Sequence, residues 1–187
     1  MSIEIHSAEN RKPIRWAGGT STEMFIYPSN GSFIDRDFIF RISSATVEVE
    51  ESNFTFFEGI TRHLMILKGE LELIHVGRYT KLLSVFEQDT FSGEWETKSI
   101  GKVTDFNLML KSGAIGSLTH IGLNEGETRV IKSKSSYCFI YIANGSFTSE
   151  NLQAVAGDLI QLDSVEESSI EVLCEKDGDL IWIEVNL

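Results

Sequence analysis

Arg41 and Arg62 stand in runs of otherwise apolar, strand-forming residues, Phe38-Ile39-Phe40-Arg41-Ile42 and Arg62-His63-Leu64-Met65-Ile66-Leu67. A guanidinium in such surroundings needs an anion beside it, from the protein or from a ligand. Side chains of a strand alternate between faces, so Arg62 shares one face with Leu64 and Ile66, and His63 shares the other with Met65 and Leu67. The same alternation turns Arg41, Ser43, Ala45, Val47 and Val49 inward and leaves Ile42, Ser44, Thr46, Glu48 and Glu50 toward solvent. Asp105, Asn107 and Met109 share a face opposite Phe106 and Leu108. Two arrangements fit this set. In one, Asp105 neutralises an arginine and the cluster is an internal ion pair, tolerable when hydrogen-bonded. In the other, Asp105 orients one arginine while its neighbour presents a planar fork to a small carboxylate, with Ser43 and Asn107 adding hydrogen bonds.

The block Trp16-Ala17-Gly18-Gly19-Thr20-Ser21-Thr22-Glu23 has two readings as well. Its glycines let backbone N–H groups approach an anion, with Trp16 as an apolar lid and Glu23 as a polar contact; alternatively it is a turn into a strand with Trp16 in the core. His63 is the acid–base candidate by residue type, but its face is opposite that of Arg62. Ser43, Cys138 and Cys174 lack a His–Asp pattern nearby, so nucleophilic catalysis has little support. The two cysteines lie in apolar runs without metal spacing and read as buried free thiols.

Composition excludes several partners. Asp and Glu outnumber Lys and Arg by 28 to 16, a formal net charge of -12. That balance disfavours a nucleic acid backbone and an anionic membrane surface, both of which require clustered cations. No apolar run approaches the length of a membrane span. Met1-Ser2-Ile3-Glu4-Ile5-His6 has neither the basic nor the apolar run of a secretory leader, and a cytoplasmic location is expected. The clusters Glu48-Val49-Glu50-Glu51 and Glu166-Glu167 read as solvated faces.

The elements that must position these residues are strands. Runs such as Phe106-Asn107-Leu108-Met109-Leu110, Tyr137-Cys138-Phe139-Ile140-Tyr141-Ile142 and Leu180-Ile181-Trp182-Ile183 alternate with Gly, Asn, Asp and Ser, and no stretch sustains a helical period. The segment from Arg62 to Leu73 reads as a β-hairpin turning at Lys68-Gly69-Glu70. The two halves are distantly alike: Leu64 to Leu67 before Gly69 matches Ile140 to Ala143 before Gly145, and Gln88-Asp89-Thr90-Phe91 matches Gly157-Asp158-Leu159-Ile160. The expectation is an all-β, mainly antiparallel protein of two related barrels. An N-terminal barrel over residues 1–123 would hold a ligand pocket, and a smaller one would occupy residues 124–187, with strands shared between them.

Paired barrels of this kind suggest cupins, double-stranded β-helix folds. Counting back from Gly69 over the usual cupin metal motif puts Arg62 at the position of the metal-binding Glu, with Phe56 and Glu58, or Thr55 and Phe57, at the positions of its histidines. A guanidinium is no metal ligand, and His6, His63, His75 and His120 show no ligand spacing, so neither metal nor other cofactor is expected. Trp16 to Glu23, Phe40-Arg41-Ile42-Ser43-Ser44-Ala45, Phe57-Glu58-Gly59, Arg62, Leu67-Lys68-Gly69 and Asp105 to Met109, in this order and spacing, resemble the HutD/Ves family of bicupin proteins. The likeness is strong over about residues 12–123 and weaker toward the C-terminus. Family members commonly carry Asn-Gly-Gly-Gly after the Trp; here Ala17-Gly18-Gly19 is shorter, so no role for that loop transfers.

The resemblance implies a metal-free bicupin associated with histidine utilisation, restraining that pathway by sensing a carboxylate such as urocanate or formylglutamate, or else with stress responses. The leading expectation is a regulatory protein in which Arg41 and Arg62 clamp a small carboxylate, Ser43 and Asn107 hydrogen-bond it, Asp105 orients an arginine, Glu23 adds polarity and Trp16 covers the mouth. One alternative is a metal-independent isomerase or hydrolase moving protons through Glu23, His63 or Asp105. Another is a ligand-free interaction module, in which Arg62 is fully paired with Asp105 and the interior is apolar. Cupins commonly dimerise through strand edges, so the analogy admits a homodimer.

Overall fold

The computed structural model describes residues 2–111, 113–150, 152–163 and 168–187. Strand-forming runs become strands throughout, and the one helical turn among the described residues is a short 3-10 segment at Ala8–Asn10. In chain order the strands begin with β1 (Ser2–His6), β2 (Ile14–Trp16), β3 (Gly19–Tyr27), β4 (Phe40–Val47), β5 (Glu51–Asn53) and β6 (Ile60–Lys68). Then come β7 (Leu71–His75), β8 (Tyr79–Leu83), β9 (Gln88–Ser92), β10 (Thr97–Ile100) and β11 (Thr104–Lys111). The rest are β12 (Ile115–Leu123), β13 (Thr128–Ser133), β14 (Tyr137–Ser149), β15 (Leu152–Val155), β16 (Leu159–Asp163) and β17 (Ser168–Asn186). No helix of the described residues is long and apolar enough to cross a membrane. Glu166 and Glu167, read above as solvated, lie outside the described residues.

The chain divides into two compact units, Arg11–Ala114 and Met1–Asn10 with Ile115–Leu187. In the first, a six-stranded sheet of order β2-β3-β4-β11-β6-β9 is accompanied by a four-stranded sheet β5-β10-β7-β8. Val47, Leu64, Ile66, Leu71, Leu73, Leu83, Phe91 and Val103 form its buried core. In the second, β1-β16-β14-β17-β12 form the main path, with β13 on β17 and β15 on β14. Its core is apolar throughout, from Ile140, Ile142, Phe147, Ile160 and Ile170 to Leu180 and Trp182, and Cys138 and Cys174 sit in it as free thiols. Pairing between the described strands is antiparallel.

The unit boundary differs from the expected one. It falls before Ile115 rather than after Leu123, and the N-terminal strand belongs to the second unit. The reason is long-range pairing: β12 runs beside β17 from Ile115↔Asn186 to Leu123↔Gly178, and β1 runs beside β16. The internal likeness is real in pairing terms, since β6 bonds β9 and β11 as β14 bonds β16 and β17.

The expected hairpin at Lys68-Gly69-Glu70 is not formed. β6 is bonded along both edges, by β11 and β9, so it has no free edge for β7. β7 instead pairs with β8 and β10, and the turn carries the chain from one sheet to the other. Gly69 adopts φ of 88° there, and a Cβ would stand 2.6 Å from the Lys102 carbonyl oxygen. Gly69→Ala is therefore expected to destabilise the fold by about 1–3 kcal/mol, read as a lower urea midpoint at unchanged m-value. The face holding Ile42 also departs from expectation. Ile42 and Phe40 are fully buried, so that face meets solvent only further along, at Thr46 and Glu48.

Candidate functional site

Strand register assembles the candidate residues in rows. Arg41, Met109 and Arg62 lie side by side on β4, β11 and β6; the next row is Ser43, Asn107 and Leu64, and the next Ala45, Asp105 and Ile66. Because the side-chain period is two, all nine project to one face. Glu23 joins from β3 opposite Ser43, next to a bulge that resets the register before Phe25.

Two linked groups result. Arg41 donates from Nε to Glu23 Oε2 at 2.7 Å and from Nη1 to Ser43 Oγ at 2.8 Å. Its side chain is 7% exposed and that of Glu23 is 38%, so Glu23 stands on the solvent side of the pair. Arg62 donates from Nη2 to Asn107 Oδ1 at 3.0 Å, and Asn107 in turn donates from Nδ2 to Asp105 Oδ1 at 2.5 Å. Thus Asp105 orients Asn107, not an arginine, and no ion pair joins Arg62 to Asp105. Arg62 Nε is buried and has no hydrogen-bond partner. The ligand-free arrangement, with Arg62 fully paired to Asp105, is not the one found.

Aromatic rings cover both cations. Phe33 lies 4.1 Å from the Arg41 guanidinium, and Phe54 and Phe91 lie 4.6 and 5.5 Å from that of Arg62. Phe33 comes from the segment between β3 and β4 and packs with Phe38 and Phe57. Trp16, the expected lid, sits elsewhere. It pairs with Gly19, which pairs with Val47, about six residues or roughly 20 Å along the ladder from Arg41. Its ring lies over Gly18, where a Cβ would come within 2.1 Å of it. That contact accounts for the glycine: the Gly-Gly pair makes a tight turn under an indole rather than an anion cradle.

Burial dominates the electrostatics. Desolvation pushes the Asp105 carboxyl up to about 7, against the pull of Arg62, a backbone hydrogen bond from Ala45 and the Asn107 amide. Desolvation likewise brings Arg62 down to about 10, with Asp105 opposing the shift and Arg41 adding to it. Arg41 is lowered by burial, and Glu23 partly restores it. The Arg41–Glu23 pair is neutral, so the surplus charge of the site is the Arg62 cation against a carboxyl that titrates near neutrality.

His63 is outside this group. It faces the other way, its ring nitrogen Nδ1 lies 2.9 Å from Thr90 Oγ1, and burial lowers its affinity for a proton. A second polar cluster lies in the same unit, and no sequence motif marks it. His75, 1% exposed, contacts Thr97 Oγ1 at 2.8 Å through Nδ1 and Asp89 Oδ2 at 2.9 Å through Nε2. Tyr79 and Lys81 also donate to Asp89. The available signal was Leu71, Leu73 and His75 at alternate positions, which turns His75 inward with two core leucines. Phe91 connects the clusters, its ring 4.6 Å from that of His75 and 5.5 Å from the Arg62 guanidinium.

Comparison with known proteins agrees with this architecture. No curated protein sequence matches the chain. Among solved structures, PA5104, a conserved protein of unknown function from Pseudomonas aeruginosa, is 20% identical, covers 100% of both chains and superposes with a TM-score of 0.87. HutD from Pseudomonas fluorescens is 20% identical over 99% of this chain and 98% of its own, with a TM-score of 0.81. The bacterial pirin YhhW of Escherichia coli, solved in complex with nickel(II), is 13% identical over 98% of each chain, with a TM-score of 0.73. These likenesses show the fold, an all-β cupin architecture.

A metal of the kind held by that pirin does not fit the donors here. The inner face presents two guanidinium groups, which cannot ligate a cation, and among the described residues no three His, Cys, Asp or Glu side chains group to hold an ion. The HutD family model matches residues 7–182, nearly the whole chain, and the protein belongs to the HutD family.

Proposed function

We propose that the protein binds a small carboxylate between Arg41 and Arg62 and works as a sensor or regulator, not as a catalyst. One observation carries this reading: Arg62 is half-buried, yet its Nε is shut away from solvent with no partner, and its charge has no ion pair among the described residues. A desolvated guanidinium left this way costs free energy unless a ligand completes it. A carboxylate accepts two parallel N–H bonds from such a fork, and Phe54 and Phe91 would exclude water around it. Glu23, partly exposed beside Arg41, marks the solvent side from which a ligand would enter. The catalytic alternative is weaker because His63 faces away from the arginines.

Family membership directs the choice of ligands. The association of HutD proteins with histidine utilisation points to urocanate and formylglutamate, and the related Pseudomonas fluorescens HutD is described in a formate condition. The test is calorimetric titration of the purified protein with formate, acetate, urocanate and formylglutamate, with neutral imidazole as the uncharged control. Saturable heat with at least one carboxylate and none with imidazole is expected. No saturable heat with any of the four overturns the reading. Exchanging the lids separates the two aromatic candidates: Phe33→Ala is expected to weaken the best carboxylate several-fold, whereas Trp16→Ala leaves it unchanged, because only Phe33 touches Arg41.

A further inference from the structure

We propose that the arginine site takes up its anion together with one proton, which lodges on Asp105. This deepens the carboxylate reading and rests on it. Asp105 is 4% exposed and lies two rows from Arg62 on the same face of the sheet. Its link to Arg62 runs through a single amide, with Asn107 donating to the carboxylate and accepting from the guanidinium. Arg62 therefore serves Asp105 only at a distance, and its Nε remains for a ligand.

The charged groups on the surrounding strands are few. Arg62 faces Asp105 from β6, Arg41 belongs to β4, and Glu23 from β3 is taken by Arg41. Asp89 of β9, His75 of β7 and Lys81 of β8 are engaged with one another. An anion arriving at Arg62 adds a second negative charge beside Asp105, against the Arg62 cation, which has no ion pair among the described residues. Like charges confined together do not both remain ionised, so the more buried one takes a proton. The proton comes from bulk solvent, adds to a carboxylate oxygen of Asp105, breaks no bond and leaves when the anion leaves.

The sign follows from Asp105 itself, whose burial lifts its carboxyl to about 7 before any anion binds. Below that pH the carboxyl is neutral before binding, and affinity is at its highest. Above it, binding must draw in a proton, so affinity falls as pH rises, approaching tenfold per pH unit. The probe is acetate, which stays ionised from about pH 6 to about pH 9. Calorimetry at about pH 8 in buffers of differing ionisation enthalpy is expected to report uptake approaching one proton per acetate. Asp105→Asn is expected to bind acetate with the wild-type low-pH affinity at every pH and with no buffer dependence. Acetate binding that is independent of pH and buffer in the wild-type protein overturns the proton link while leaving carboxylate binding intact. Absence of binding at every pH by acetate, formate, urocanate and formylglutamate alike overturns the carboxylate reading itself.

Discussion

Arg62→Met is expected to make the protein more stable and unable to hold its anion. The two effects share a cause. Arg62 is charged at neutral pH in both the folded and unfolded chain, but in the fold its Nε is shut off from water without a partner and the side chain gains a hydrogen bond to Asn107. Its fall to about 10 records that imbalance. Replacing a buried ion pair with apolar side chains of similar volume is neutral or stabilising by about 1–4 kcal/mol, and half-buried Arg62 falls at the lower end of that range. A methionine thioether also suits contact with the Phe54 and Phe91 rings, which now lie on the guanidinium. The substitution removes the charge-assisted contacts to a carboxylate, worth roughly 1.5–3 kcal/mol, or about tenfold to more than a hundredfold in Kd. Urea denaturation and acetate titration on the same preparation check both halves. A clear loss of stability with unchanged acetate binding would make Arg62 a structural residue.

Asp105→Asn is expected to stabilise the protein, and more so as pH rises. The folded carboxyl sits at about 7, above its ordinary value of 3.8, so the folded chain binds more protons than the unfolded chain between those limits. The stability associated with this group is therefore fully present below the unfolded value and is lost as pH climbs through the folded one. Asparagine keeps the shape and an acceptor for Asn107 while removing the charge. The gain should grow by roughly 2 kcal/mol between about pH 5.5 and about pH 8.5, from 1.36 kcal/mol for each unit of pKa difference crossed. Urea unfolding at the two pH values measures it, and an equal gain at both would mean that the Asp105 charge is not what the fold resists.

Much of the site was legible in the chain because strand alternation is local. Arg41 and Ser43 on one face of β4, and Asp105 and Asn107 on one face of β11, follow from period two alone, and register aligned the two faces. Arg62 at the position of a metal-binding Glu was legible in the same way, from its distance to Gly69. What failed was partner choice. Lys68-Gly69-Glu70 has the composition of a hairpin turn, but whether two strands pair depends on which edges are free, and both edges of β6 are taken by strands more than twenty residues downstream in sequence. Trp16 is near Glu23 in sequence, which points to the same mouth; the β2–β3 turn carries it instead to the far end of the ladder, and Phe33 takes the place over Arg41.

The sequence by itself therefore determined an all-β bicupin with two arginines turned inward, because side-chain direction along a strand needs only neighbouring residues. Tertiary structure alone decided that Arg62 reaches Asp105 through Asn107, that His75 and Asp89 meet, and that the Nε of Arg62 is left without a partner. Those facts depend on the register of strands distant in sequence and on how much water their packing removes, and no local pattern encodes either.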